Sequence, residues 1–568
     1  MINLKVKPFY LKDEDIKWVE DTLGDMGIEE KVGQLFCPIG TTDDKEELKA
    51  LLSKIKPGGI MYRPCDGVVM QETHKFLQEN SNIPLLIAAN LEAGGNGICT
   101  NGTYYGKQMQ VAATDNEVMA YKLGLVCGRE GGAVGCNWAF SPIIDIDMNF
   151  RNPITNVRTY GSDPYRVLKM AKEYMRGINE SGLAVAIKHF PGDGVDERDH
   201  HLLTSINSLS TEKWDDTFGM VYKNMIEAGA QTVMVGHIML PEYTKKLIPG
   251  IRHEDIMPAT LSKELLGTLL REKLGFNGLI VTDATPMIGF ASAEKREVAV
   301  PKAIAAGCDM FLFNKNIGED FAFMMDGIKK GILTLERLDE AVTRILALKA
   351  SLKLHEQKAK GTLVPDKEAL LQLKCEEHEK WAKECADKSV TLVKDTQKLL
   401  PISPEKYKRI RLYVLEENGG GFKEGASVTA NLIEGLENAG FEVYLFDNKK
   451  LDFREVFTGS VNELKEKYDL MLYVANIETA SNQTTVRINW AQPMAANAPW
   501  FVKEIPTMFI STANPYHLFD VPMVKTYINA YSSNEYVVQA IIDKITGKSE
   551  FKGKNPVDPF CNLWNAKL

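Results

Sequence analysis

Eight short apolar runs, separated by longer amphipathic stretches, occupy about the first 350 residues and restrict the folds open to this chain. They lie at 33–38, 59–62, 84–90, 138–146, 183–189, 232–237, 278–283 and 309–314. Many are apolar on both faces, as parallel strands covered by helices are. Eight alternating strand and helix units predict an α/β architecture, a (β/α)8 barrel of TIM type or a near relative with one irregular strand. Polar residues gather at the C-terminal ends of the runs: Asn90 and Glu92, Asp145 and Asp147, Lys188 and His189, His237, Asp283, Asn314. In a barrel those ends form one rim, and the rim is where chemistry sits.

A chain of 568 residues is too long for one core. The catalytic barrel is expected over 1–355, closed by an amphipathic helix at 337–354 whose apolar set is Leu338, Val342, Ile345, Leu346 and Leu348. A charged helical linker is expected at 356–388. A smaller α/β open-sheet domain should follow over 389–568, with parallel strands at 409–415, 442–446, 470–475, 507–511 and 526–530.

The formal charge of −9 comes without any long basic block, which argues against nucleic acid or an anionic membrane as a partner. No apolar run reaches the length of a membrane span, and the N-terminus shows no secretory pattern. The nine cysteines are scattered, without a C-x-x-C pair, and most sit in apolar runs. That pattern predicts reduced thiols in a cytoplasmic protein, and neither a disulfide framework nor a zinc site.

The most reactive stretch is Lys188-His189-Phe190-Pro191-Gly192-Asp193-Gly194, followed by Asp199-His200-His201. Three of nine histidines fall here, directly after an apolar run, where an α/β enzyme presents catalytic groups. Asp199 and His201 are two apart, so in an extended loop their side chains point the same way and can pair. A carboxylate on one ring nitrogen leaves the other aimed at substrate, as a general acid that later acts as base. His200 competes for the same role. A solvated charged loop is the ordinary reading of such a stretch, but the basic pair at the strand end disfavours it.

Asp283 ends the seventh run. From position alone it is either a helix cap or a nucleophile able to attack an anomeric carbon. Lys188 and His189 either bind sugar hydroxyls or neutralise rim carboxylates. Arg158, in a turn-rich loop, holds a hydroxyl or a neighbouring acid. His237 is equally a satisfied core residue or a site residue. The glycines of Asn418-Gly419-Gly420-Gly421 lack a phosphate-binding pattern and read as a turn. Arg487 reads as a solvated arginine.

Together these residues resemble glycoside hydrolase family 3, in its two-domain bacterial β-N-acetylglucosaminidase branch. The resemblance covers nearly the whole chain. Glu30-Lys31-Val32-Gly33-Gln34-Leu35-Phe36 resembles the family's first strand. Lys188-His189-Phe190-Pro191-Gly192 with Asp199-x-His201 is similar to the branch's catalytic loop. Pro258-Ala259-Thr260-Leu261-Ser262, Gly275-Phe276-x-Gly278 and Val281-Thr282-Asp283 resemble the approach to the nucleophile. Ser389 to Lys394 and Leu399-Leu400-Pro401 are similar to the start of the family's second domain.

The resemblance implies a retaining exo-β-glycosidase acting on β-linked N-acetylglucosamine, with Asp283 as nucleophile and Asp199–His201 as acid/base. It places Arg158, Lys188, His189, Asn90, His237 and Met287 around the sugar, and it implies no cofactor and no metal. A small carbohydrate, an amino sugar glycoside or cell-wall fragment, is the expected partner. Asn90 stands where the family's D-x-E-G-G segment begins with aspartate, and Asn96 follows Gly95 where an arginine is often found. Sugar identity depends on such charges. Because the acid/base is an imidazole, a phosphorylase using the same residues is the alternative. A non-catalytic sugar-binding protein on the same fold is the second.

Overall fold

The computed structural model describes residues 2–416, 428–447, 453–478, 481–492 and 494–568. Internal contacts divide the chain into two compact units. The first comprises Met1–Tyr105, Ala120–Thr155 and Asp163–Glu379; the second comprises Gly106–Met119, Asn156–Ser162 and Lys380–Leu568. The expected linker at 356–388 is thus divided, with residues up to Glu379 in the first unit. The helices Leu354–Lys360 and Glu376–Ser389 overlap its two ends.

The first unit carries eight barrel strands: β1 (Phe36–Cys37), β2 (Gly59–Tyr62), β3 (Leu86–Ala89), β4 (Trp138–Ala139), β5 (Ala184–Phe190), β6 (Thr232–Val235), β7 (Leu279–Thr282) and β8 (Phe311–Leu312). Pairing is parallel from β7 through β6, β5, β4 and β3 to β2, and Ile39–Gly40 prolongs β1 alongside β2. β1 pairs with β8, and Val281 bridges Met310, so the ring closes. This is a TIM-type barrel. Each strand is buried along its length, because helices cover the ring outside and side chains fill it inside.

Several strands are shorter than their apolar runs, and in β1 and β4 the cause is visible. Gly33 and Gln34 end the helix Ile28–Gln34, so the segment from Glu30 to Phe36 enters strand geometry only at Phe36. After β4, Pro142 has no N–H to give a ladder, and Ile143 makes only an isolated bridge to Lys188. The closing helix is Leu335–Ser351. At the N-terminal end of β8, the fully buried Asp309 meets three guanidinium groups: Arg271 at 2.6 Å, Arg337 at 2.6 Å and Arg344 at 3.4 Å.

Among the described residues the second unit has a six-stranded sheet: β9 (Thr391–Asp395), β10 (Arg409–Glu416), β11 (Glu442–Leu445), β12 (Leu470–Asn476), β13 (Thr507–Ser511) and β14 (Thr526–Asn529). The order is β9-β14-β13-β12-β10-β11. The five expected strands pair in parallel, and β9, which was not expected, runs antiparallel to β14 at one edge. Half-buried positions in β9 mark that edge, a common place for an antiparallel strand on a parallel sheet. Tyr413, Tyr473, Phe509 and Tyr527 occupy matching register positions on four adjacent strands. Their rings stack in one row, with centroids 4.4, 5.9 and 5.5 Å apart. The glycine run 418–421 lies outside the described residues. Arg487 pairs with Asp520.

Candidate active site

β5 delivers Lys188 and His189 at its C-terminal end, and the chain then turns sharply. Gly194 stands at φ +104°, and a Cβ there would lie 2.0 Å from the carbonyl oxygen of Ile146. Only glycine tolerates that backbone and that approach. Asp145 organises the turn. Its Oδ1 accepts from the backbone N–H groups of His189 (3.0 Å) and Asp193 (2.9 Å), and its Oδ2 accepts from Nδ1 of His189 (2.7 Å). Burial opposes the charge of Asp145, but the His189 ring overrides it and holds the carboxyl below its ordinary range. Since Nδ1 of His189 donates to Asp145, its Nε2 faces the other way, 3.9 Å from Oδ2 of Asp283. Lys188 is buried, and its ammonium donates to Glu92 over 2.7 Å.

Asp283 follows β7, and its N–H donates to the carbonyl of Val235 on β6 over 2.8 Å. Its Oδ1 accepts from the N–H of Ala284 over 2.7 Å, while Oδ2 has no hydrogen-bond partner among the described residues. The residue is 8% exposed. Burial alone would raise its pKa, but the His189 ring, 3.9 Å from Oδ2, outweighs it and holds the carboxyl well below its ordinary range. The result is an ionised carboxylate with one oxygen fixed by the backbone and the other unengaged.

Asp199 and His201 pair in a turn, not in an extended stretch. The N–H groups of Leu202 and Leu203 both donate to the carbonyl of Asp199. The Asp199 carboxylate accepts from the backbone N–H of His201 (2.8 Å) and from its ring Nδ1 (2.6 Å). An aspartate bonding the backbone two residues on is a stable local turn, so two-residue spacing serves here through a different conformation. Burial opposes ionisation of Asp199, and the His201 bond overcomes it, lowering its pKa. This fixes the tautomer of His201 and leaves Nε2 available.

His200 sits between these groups. It is fully buried, with Nε2 3.8 Å from Oδ2 of Asp283 and 3.9 Å from Oδ2 of Asp193. Burial pushes its pKa down to about 3, so the ring is neutral. His237 is also buried, and its pKa falls to about 4, again mainly through burial. Both its nitrogens are engaged, Nε2 donating to the carbonyl of Ala284 (3.0 Å) and Nδ1 accepting from the Thr260 hydroxyl (3.0 Å). It therefore braces the segment after Asp283. Asn90 is half-buried just beyond β3. Met287 is buried and precedes the short helix Ile288–Ala291. Arg158 lies in the turn Asn156–Arg158, which belongs to the second unit. Glu92, Asp145 and Asp193 were given no role from the sequence, although Asp145 and Glu92 stand at strand ends where the rim pattern pointed, and His200, the competing candidate for the pair with Asp199, lies elsewhere.

Among the described residues, two carboxylate and imidazole clusters are close enough to hold a cation: Asp199 with His200 and His201, and Asp15 with His355 and Glu356. In the first, Asp199 already accepts from both N–H groups of His201. In the second, the Lys353 ammonium bonds both oxygens of Asp15 at 2.7 Å. Ion pairs account for both.

The family profile of the glycosyl hydrolase family 3 N-terminal domain matches residues 27–348. The chain belongs to glycosyl hydrolase family 3. It is a glycoside hydrolase by that membership. Among curated members, a Cellulomonas fimi protein called beta-N-acetylglucosaminidase/beta-glucosidase is 49% identical, covering 100% of both chains. A beta-hexosaminidase A of Pseudoalteromonas piscicida is 28% identical over 56% of this chain and 57% of its own. A solved structure described as beta-glucoside phosphorylase BglX superposes with a TM-score of 0.93 and 49% identity, over 99% of each chain. A family 3 beta-N-acetylglucosaminidase from Paenibacillus shares the fold, with a TM-score of 0.78 and 23% identity over 95% of this chain and 100% of its own. Among the described residues no helix is long and apolar enough to cross a membrane.

Proposed function

We propose that this family 3 enzyme is a retaining exo-β-glycosidase that takes a terminal β-linked N-acetylglucosamine, or a glucose, from a small carbohydrate. The observation that carries this reading is the unengaged Oδ2 of a buried, ionised Asp283, in a barrel that also holds the Asp199–His201 pair. In the first step Oδ2 of Asp283 attacks the anomeric carbon, while Nε2–H of His201 protonates the departing oxygen. The covalent glycosyl ester then breaks as His201, now a base, activates the acceptor. Asp199 stabilises the imidazolium from which the first step starts and to which the second returns. Lys188, His189, Asn90 and Met287 are proposed to hold the sugar, and His237 to brace the segment behind the nucleophile.

The names of the curated members support the amino sugar and the glucose. Asn90, an amide where the family pattern has an acid, suits tolerance between the two, because it removes a charge from the rim. The nine cysteines form no disulfide among the described residues, and seven are buried, which suits a reducing cytoplasm. Recycling of cell-wall fragments is the corresponding biological setting.

One observation favours a second reading for the acceptor. The acid/base is a ring nitrogen held at 2.6 Å by Asp199. A free carboxylate in that role would repel an incoming phosphate dianion, whereas an imidazole does not. The 49% identical phosphorylase structure supports the same reading. Product analysis on aryl β-N-acetylglucosaminide and aryl β-glucoside, with and without inorganic phosphate, tests both. Free sugar in phosphate buffer assigns hydrolysis, and a sugar 1-phosphate assigns phosphorolysis. Retention of full turnover by Asp283→Asn would overturn the whole assignment.

A further inference from the structure

His200 lies one residue from the proposed acid/base and within 3.8 Å of the proposed nucleophile, yet neither step above uses it. It is fully buried, and neither ring nitrogen has a hydrogen-bond partner among the described residues. Two further buried atoms nearby are also unpartnered: Oδ2 of Asp283 and Oδ2 of Asp193. Buried polar atoms are seldom left unpaired, and each such case calls for an explanation. Here three residues leave their unpaired atoms around one point. Nε2 of His200 stands almost midway between the two oxygens, at 3.8 and 3.9 Å. Neither separation is a hydrogen bond, but a shift of about 1 Å makes either one, at the cost of the other.

We propose that His200 is a positioning residue whose Nε2–H bonds Asp283 while that carboxylate is ionised, and swings to Asp193 while Asp283 is esterified. No atom is gained or lost; one N–H changes its acceptor. The inference rests on Asp283 as nucleophile.

The surroundings give the N–H its preference. Facing His200 are Asp193, Asp283 and Asp199 and the rings of His189, His201 and His237, the rings with centroids 5.5, 5.0 and 6.4 Å away. Burial, reinforced by the charge of Asp145, raises the pKa of Asp193 well above its ordinary range. Oδ1 of Asp193 is fixed by Asn152 (2.9 Å) and by the N–H of Gly194 (2.6 Å), so Oδ2 alone faces His200. A neutral carboxyl accepts more weakly than an ionised one. The N–H therefore prefers Asp283 as an anion and returns to Asp193 once the ester has removed that charge. A donor on the anion makes Asp283 a less basic nucleophile but a better leaving group. Its contribution falls on the second step.

The test uses the full chain and a dinitrophenyl β-glycoside, for which breakdown of the intermediate limits kcat and attack by Asp283 sets kcat/KM. His200→Phe keeps the ring volume and removes the N–H. A lost hydrogen bond to a charged group gives a fall in kcat of about tenfold or more. The expected result is that fall, with kcat/KM held within about threefold and its acid limb moved to higher pH. His200→Gln, which restores a donor, should recover part of kcat and return the acid limb. Equal losses in kcat and kcat/KM with an unmoved acid limb, or wild-type behaviour, would overturn the proposal. If His200→Phe fails to fold, nitrogen-15 histidine spectra of the wild type decide. They are recorded free and after trapping with a 2-deoxy-2-fluoro glycoside. A proton on Nε2 whose signal moves on trapping supports the swing; a proton on Nδ1 in both states overturns it. The trap separates this inference from the one beneath it: label on a residue other than Asp283 removes the nucleophile, whatever His200 does.

Discussion

The backbone N–H of Ile288 donates to the carbonyl oxygen of His201 over 3.0 Å, tying the loop of the imidazole to the segment that follows Asp283. The Thr204 hydroxyl adds a second tie, to the carbonyl of Gly289 over 2.9 Å. The two proposed catalytic groups arrive from different strands, and these bonds keep their loops in register. At Gly289 the loops are so close that a Cβ would lie 2.5 Å from the carbonyl oxygen of His200 and 2.9 Å from that of Leu203. Gly289→Ala is therefore expected to push the histidine loop outward. Misplacement of a catalytic group by about 1 Å lowers kcat/KM on the order of a hundredfold. Stability should fall by only about 1–3 kcal/mol. Steady-state kinetics beside urea unfolding checks whether activity is lost out of proportion to stability.

Asp199→Asn removes the charge that holds Nδ1–H of His201 at 2.6 Å. The expected loss is about 10²–10⁴ in kcat/KM for a poor leaving group, and far less for dinitrophenol, which needs little protonation. A plot of log kcat/KM against leaving-group acidity should steepen in this variant and in His201→Ala. An unchanged slope in both would remove His201 from the acid role.

Asp309 belongs to the opposite end of the barrel strands, where residues serve stability. Asp309→Ala would leave Arg271, Arg337 and Arg344 crowded without their common anion. Breaking a buried ion pair from one side costs about 3–5 kcal/mol. Urea unfolding should show that loss, while KM of the folded fraction stays unchanged.

Stability should fall as pH drops from 7 to 5. His74, His200 and His237 are buried and neutral when folded, with pKa values pushed down to about 4, about 3 and about 4 by burial. In the unfolded chain each ring takes up a proton near its ordinary value of about 6.5. Below that pH the unfolded state binds more protons, and stability is lost until the folded values are reached. Between pH 6.5 and 5 each ring accounts for about 2 kcal/mol. Asp283, whose pKa is lowered, contributes stability above the ordinary carboxylate range, so it adds nothing in this window. His74, which bonds the carbonyl of Val134 away from the active site, isolates the effect. His74→Gln should flatten part of the slope of unfolding free energy against pH, and an unaltered slope would contradict the assignment.

The eight barrel strands were legible in the chain because each is buried on both faces, and a short continuous apolar run bounded by turns is how such a strand is written. The turn after β5 was legible too, since glycine at φ +104° leaves its mark as a residue type. Local chemistry likewise brought Asp199 and His201 together, as two residues apart can pair in a turn whatever surrounds them. Tertiary structure alone decided the rest. Segments Gly106–Met119 and Asn156–Ser162, the latter carrying Arg158, join the second unit although barrel strands flank them in sequence. Contact partners of a loop are not encoded in its neighbours. The edge strand β9 runs antiparallel because of where the chain enters the sheet, which no residue pattern states. Of two adjacent histidines, one pairs with Asp199 and the other is buried between Asp193 and Asp283. Spacing could not separate them, because burial and the direction of a side chain are set by elements far away in the chain.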